Sequence, residues 1–164
     1  FAENYINNKI LPNTIYDFDI DIKAYNTIES HFLKFYEESK ENLIPIHSEL
    51  CVGSSQLGIC GMVDQLYYSN TLKGLVIFDW KTNKRMNYTS KYKNSMLDPI
   101  SHLEECEFST YSLQLSLYKY IIELETYLEI KDCFIVWFNE KNDTYRLIKC
   151  ADYRKEIINM LNYN

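Results

Sequence analysis

Two acids set inside apolar runs constrain this chain more than any other feature. From residue 58 to residue 81 it reads Gly-Ile-Cys-Gly-Met-Val-Asp-Gln-Leu-Tyr-Tyr, then Ser-Asn-Thr-Leu-Lys, then Gly-Leu-Val-Ile-Phe-Asp-Trp-Lys. The two apolar runs, separated by a short polar loop, predict strands over about 59–68 and 75–81 joined as an antiparallel hairpin. Asp64 and Asp79 fall inside these runs. A buried, unpaired carboxylate is costly, so two of them on adjacent strands imply a compensating charge such as a metal ion. Lys81 lies two residues beyond Asp79 and therefore projects from the same face of the strand.

The strand before the hairpin is predicted over about 44–52. Its alternation puts Ile46, Ser48, Leu50 and Val52 on one face and His47, Glu49 and Cys51 on the other, so Glu49 interrupts a half-buried face. The three strands form a meander carrying Glu49, Asp64, Asp79 and Lys81. Upstream, residues 1–9 read as the end of a helix that Pro12 and Asn13 break. Ile22, Tyr25, Ile28, Phe32, Phe35 and Tyr36 then recur at helical spacing up to about residue 42. His31 lies in that helix, and a lone histidine there is expected at the surface or hydrogen-bonded.

Downstream, residues 82–107 are polar, contain Pro99 and show no period, a length expected of functional or mobile loops. A helix is predicted over about 109–128, with Ser109 or Thr110 as its N-cap and Tyr111, Leu115, Tyr118, Ile122 and Glu125 on one side. Gln114 and Tyr118, four apart, share a face. Strands over about 133–138 and 145–150 and a helix over about 153–161 complete the order. No repeat, linker or boundary interrupts it. The expectation is one α/β domain over 1–164 with a mixed sheet, forming a segment of a longer protein.

Composition narrows the function. With 46% hydrophobic and 24% charged residues, the 164-residue chain can bury a real core. No run of 18 apolar residues and no signal peptide is visible, so a soluble intracellular protein with no membrane partner is expected. Five cysteines, widely spaced and without a Cys-x-x-Cys pair, argue against zinc ribbons, iron–sulfur sites and a disulfide framework. Cys51, Cys60 and Cys133 fall in strands, where buried reduced thiols are expected. The net charge of −6 argues mildly against nonspecific nucleic-acid binding. Yet Lys81, Lys84, Arg85, Lys91 and Lys93 fall within 81–97 with no acid among them, and these five positive charges leave −11 on the remainder. A solvated loop would account for such a run taken alone.

Carboxylates on neighbouring strands offer hard oxygen ligands suited to Mg²⁺ or Mn²⁺ rather than zinc. A lysine beside them adds the electrostatic stabilisation that phosphodiester hydrolysis requires. Each signal is weak alone, because Asp-x-Lys arises often by chance. In combination, Glu49, Gly61-Met-Val-Asp64, Asp79-Trp-Lys81 and the later Gln114 with Tyr118 resemble the ordered motifs of the PD-(D/E)XK nuclease superfamily, in particular its RecB-like and lambda-exonuclease-like branches. The resemblance spans roughly 43–161.

That resemblance implies a restriction-endonuclease-like core, a three-stranded antiparallel meander plus further strands flanked by helices. Asp64 and Asp79 would be metal ligands, with the Trp80 carbonyl and Glu49 as further ones. Lys81 would be the catalytic lysine beside Asp64, Asp79 and Glu49. Gln114 and Tyr118 would face the nucleic-acid backbone, and Lys84, Arg85, Lys91 and Lys93 would contact phosphates. Tyr88 and Tyr92 could stack on unpaired bases. The implied protein is a Mg²⁺- or Mn²⁺-dependent deoxyribonuclease, exonuclease or endonuclease. It would be a module of a replication, repair or recombination protein whose other domains are of helicase, primase or polymerase-associated type. Two alternatives stand beside it: a non-catalytic module of the same fold binding nucleic acid or a partner protein, and an RNA endonuclease. RecB-like members also carry a metal-binding histidine on a helix before the glutamate. Here the resemblance would put it just before Phe1, or another group substitutes for it; His31 and His47 sit in the wrong place for the motif.

Overall fold

The computed structural model describes residues 2–8 and 22–163. Its elements run α1 (Ala2–Asn8), α2 (Ile22–Ser39), β1 (Leu43–Ser54), β2 (Ile59–Ser69), β3 (Gly74–Lys81), α3 (Glu107–Thr126), β4 (Ile130–Trp137), β5 (Arg146–Lys149) and α4 (Arg154–Leu161). This is the expected order. The five strands form one mixed sheet, β1-β2-β3-β4-β5. Every neighbouring pair is antiparallel except β3 and β4, which run parallel because α3 carries the chain back between them. Pro12 and Asn13 lie outside the described residues. None of the described helices is long and apolar enough to cross a membrane.

Two cores separate the layers. Phe32 and Phe35 of α2, with Ile6 of α1, pack on Tyr67, Val76, Phe78, Val136 and Phe138. On the other face Leu115, Ile121 and Ile122 of α3 cover Val63, Leu66, Ile77, Ile135 and Ile148. Residues 76–80 alternate between these cores, so β3 is buried on both sides, as a central strand with a parallel neighbour should be. α4 joins α3 through a smaller cluster in which Ile157 meets Leu113 and Ile100 of the long connection.

Local details depart from the simple pattern. In β1 the register shifts between Pro45 and His47, leaving Ile46 without a partner and 53% exposed. The predicted alternation therefore fails at Ile46. The fully buried Gln65 spans this irregularity, donating to the His47 carbonyl and accepting from Ser48 Oγ at 2.6 Å. α3 starts earlier than expected, at Glu107 with Cys106 as N-cap, so Ser109 and Thr110 lie inside the helix. No side chain caps it. Instead the Phe108 N–H donates to the Asn87 carbonyl, a bond supplied from the preceding loop that local sequence could not announce.

His31 is buried rather than at the surface, and it meets the hydrogen-bonded alternative: burial lowers its pKa while a hydrogen bond with the Asp143 backbone raises it, its Nδ1 being left unpartnered. Cys133 is buried as expected, whereas Cys51 and Cys60 are exposed. The reason is topological. β2 pairs with β3 only from Gln65 onward, so the β1–β2 hairpin outruns the rest of the sheet and is covered on one face only.

The covered face shows why Gly61 stands where it does. The Tyr118 ring lies so close over β2 that a Cβ at position 61 would sit 2.3 Å from Tyr118 Cε1. Gly61→Ala is therefore expected to destabilise the fold by about 1–3 kcal/mol, the usual range for overpacking. In denaturant titrations, combining it with Tyr118→Leu should recover much of that loss. Additive effects of the two substitutions would show that the contact does not constrain the fold.

Candidate active site

β2 and β3 part company at the two acids. The ladder between them ends at Gln65 and Phe78, one residue short of Asp64 and Asp79. Val63 and Leu66, three positions apart, join the same core cluster, so strict alternation in β2 breaks at Asp64. Glu49 lies across from it, between the paired rungs Ser48–Gln65 and Leu50–Val63, with φ of 51°. A left-handed glutamate at that rung bends β1 as well. Two adjoining irregularities thus open the sheet where the motif residues sit.

Asp64 bridges the opening. Its Oδ2 accepts a hydrogen bond from the Trp80 N–H at 2.9 Å, replacing the ladder bond that β2 no longer supplies. The N–H and C=O of one strand residue point to the same edge, so the Trp80 carbonyl also faces this gap. On the opposite edge the Lys81 carbonyl accepts from Phe138 N–H at 2.8 Å and keeps β3 bound to the β4 end.

Asp79 is 2% exposed. Burial pushes its carboxyl from the ordinary 3.8 up to about 6, against the opposing pull of Lys81 and with a further push from the charge on Asp64. Lys81 Nζ stands 2.5 Å from Asp79 Oδ2. That oxygen is buried against the Lys81 ammonium, whose charge and hydrogen bond lower the Asp79 pKa without cancelling the effect of burial, so Asp79 is charge-paired but only partly compensated. Such incomplete satisfaction of a buried carboxylate is a common mark of functional sites.

α3 supplies the far wall. Lys81 Nζ lies over the Tyr111 ring at 4.7 Å from its centroid, so the ammonium contacts both a carboxylate and an aromatic face. One turn on, Gln114 Nε2 donates to Tyr118 OH at 2.9 Å. Tyr111, Gln114 and Tyr118 occupy i, i+3 and i+7 of one helix face, a spacing that already marked Tyr111, though no motif drew attention to it. Buried Cys150, pushed up to about 12 chiefly by burial, feels the charges of Asp79 and Lys81 and lies beside Ser112.

The remaining residues assigned from sequence are less closely gathered. Glu49 is exposed, and among the described residues no three His, Cys, Asp or Glu side chains form a group that could hold a metal ion. Glu49 is therefore not brought in as a third acidic ligand. His31 is a buried residue of α2, and His47 is exposed, with its Nδ1 2.8 Å from the Ser48 carbonyl. Lys84, Arg85, Lys91 and Lys93 are all exposed on the connection to α3. That connection contains no helix or strand, but it is anchored. Met86 and Ile100 are buried, Glu107 Oε2 accepts from the Asn87 N–H, and Glu104 Oε2 accepts from the Ser90 N–H at 2.6 Å. A cleft of about 400 Å³ separates it from α3, with Lys91, Tyr92, Asn94, Thr110 and Tyr111 on its walls. Tyr111 thus faces both the cleft and Lys81.

No protein-family model matches the chain, and no curated protein is significantly similar to it. The site is judged on its chemistry. Asp64, Asp79 and the Trp80 carbonyl form a set of hard oxygen donors, and Mg²⁺ commonly uses one or two carboxylates with water completing its shell. The buried, incompletely satisfied Asp79 oxygen fits such an ion.

The raised pKa of Asp79 carries a sign for stability. The folded protein holds this proton more tightly than the unfolded chain, so the contribution is unfavourable above about pH 6 and disappears below about pH 4. Asp79→Asn is therefore expected to stabilise the metal-free protein at pH 7.5 by at most about 3 kcal/mol, the attraction to Lys81 being already contained in the net shift. Denaturant titration at pH 7.5 and pH 4 should show the gain only at the higher pH. A variant less stable than the parent at pH 7.5 would contradict this account.

Proposed function

We propose that this chain is a metal-dependent nuclease module of the PD-(D/E)XK type, with a restriction-endonuclease-like core, that hydrolyses DNA phosphodiester bonds. One observation carries the reading: Asp64, Asp79 and Lys81 meet where β2 and β3 separate, with Asp79 buried and its charge only partly answered. The order of a meander, a crossover helix and a parallel fourth strand supports it.

Asp64, Asp79 and the Trp80 carbonyl would hold Mg²⁺ or Mn²⁺. When bound, such an ion lowers the pKa of water and polarises a phosphoryl oxygen. Lys81 offers a positive charge to the phosphate as negative charge builds on it in the transition state. The Tyr111 ring keeps that ammonium at the mouth of the site rather than in solvent. Tyr118 OH accepts from Gln114, so its own hydrogen remains available to a phosphate oxygen. Lys84, Arg85, Lys91 and Lys93 line the approach as phosphate contacts, and Tyr92, 74% exposed, can stack on an unpaired base. Such a module fits a replication, repair or recombination protein.

A second reading is favoured by one observation. With two rather than three acids at the opening among the described residues, the fold could bind nucleic acid or a partner protein without cutting it.

Cleavage of single- and double-stranded DNA, and of RNA, with Mg²⁺ or Mn²⁺ separates these readings. DNA cleavage is expected, with Asp79→Ala and Lys81→Ala each lowering the rate by about 10²–10³-fold, the scale of a lost transition-state charge contact. Tyr111→Leu should slow the reaction less, by loosening Lys81. Equal rates in parent and variants would rule out the assigned site. A chain that neither cuts nor binds millimolar Mn²⁺ in calorimetry would be the non-catalytic module, and preferential RNA cleavage would reassign the substrate.

A further inference from the structure

The β1–β2 hairpin that outruns the sheet carries an unexplained group of sulfur atoms on its open face. Cys51 pairs directly with Met62, and Gly53 pairs directly with Cys60. Residues two apart in a strand share a face, so these four positions form the corners of one square. Cys51 and Cys60 are exposed, and Met62 is 46% exposed. Three corners hold sulfur, and the fourth is a glycine. A Cβ at Gly53 would lie 3.3 Å from Cys60 Cβ, a tight contact whose absence leaves more room beside the Cys60 side chain.

We propose that Cys51, Cys60 and Met62 form a binding site for a soft, thiophilic cation of the Cu(I) class, on the open face of the hairpin and separate from the carboxylate site. Two thiolates and a thioether are the donor set that selects such ions over the hard cations suited to Asp64 and Asp79. Geometry favours an ion over a disulfide. Diagonal cross-strand positions stand about 7 Å apart, with Cβ atoms somewhat closer. A direct disulfide needs a Cβ separation of about 3.5–4.5 Å. A sulfur–ion–sulfur bridge with bonds of about 2.3 Å reaches across the longer diagonal. The remaining cysteines cannot substitute. Cys106, Cys133 and Cys150 are buried, and burial pushes the Cys133 and Cys150 thiols up.

The test uses the whole chain, reduced, titrated with Cu(I) against a competing chromophoric chelator. One equivalent should be retained, with an ultraviolet thiolate-to-metal charge-transfer band and protection of the two thiols that react fastest with Ellman's reagent. Cys51→Ser and Cys60→Ser should each weaken binding by more than the roughly 10–100-fold typical of changes outside the first ligands. Met62→Leu should weaken it less, and Cys106→Ser should leave it unchanged. All four variants are checked for native circular dichroism, and the exposed positions should fold as the parent does. Undiminished binding in the Cys51→Ser/Cys60→Ser double variant would overturn the proposal. So would half an equivalent per chain with dimer formation, because the sulfurs would then act between chains rather than across the hairpin.

Discussion

The site depends on a single strand being held by one face while it works from the other. Trp80 points into the aromatic core beneath α2, with ring centroids 5.6 Å from Phe35, 5.9 Å from Phe32 and 6.1 Å from Phe138. Edge-on and tilted ring pairs of this kind each contribute about 0.5–1.5 kcal/mol beyond the area they bury. Because side chains alternate, fixing Trp80 also fixes the directions of Asp79 and Lys81, which emerge on the α3 side. The backbone of Trp80 belongs to the site as well, through its N–H on Asp64. One residue therefore couples the packing of one layer to the chemistry facing the other.

That coupling lets the sheet tolerate a defect. A buried carboxylate opposes folding, and Asp79 has neither full hydrogen bonding nor solvent. It survives because the strand that carries it is clamped on the side away from it, and because the opening between β2 and β3 is limited. Asp64 closes one missing ladder bond, Gln65 closes the ladder just before it, and Gly61 admits Tyr118 over the far strand. Local instability confined between well-packed neighbours is the arrangement expected where stability and function oppose one another.

The parts legible in the sequence were those set by local pattern. Alternation and turn residues located the hairpin, helical spacing located α2 and α3, and the order of elements followed. What escaped depends on partners distant in sequence. Glu49 adopts a positive φ that no residue type announces, and it faces solvent instead of completing an acidic trio. Asn87 takes over the role assigned to Ser109 or Thr110 at the start of α3. Cys51 and Cys60 sit in a strand, yet their exposure follows from β3 being shorter than the hairpin it joins. His31 shows the reverse case, a polar residue buried in α2 with a hydrogen bond to the distant Asp143 backbone. Tyr111 was legible in principle, since it shares a helix face with Gln114 and Tyr118.

The Lys81 contact also bears on how the site could change state. An ammonium 2.5 Å from the buried oxygen of Asp79 occupies the same electrostatic position that a bound cation would claim. A cation there and the ammonium would repel each other, so filling the site would require the lysine to shift. If the lysine had only Asp79 as a partner, displacing it would leave a half-buried charge with nowhere to go, and the site would resist filling. The Tyr111 ring alters that balance, because its face offers the ammonium a second, weaker partner. The lysine can then give up the carboxylate and still remain at the edge of the cleft that Tyr111 also lines.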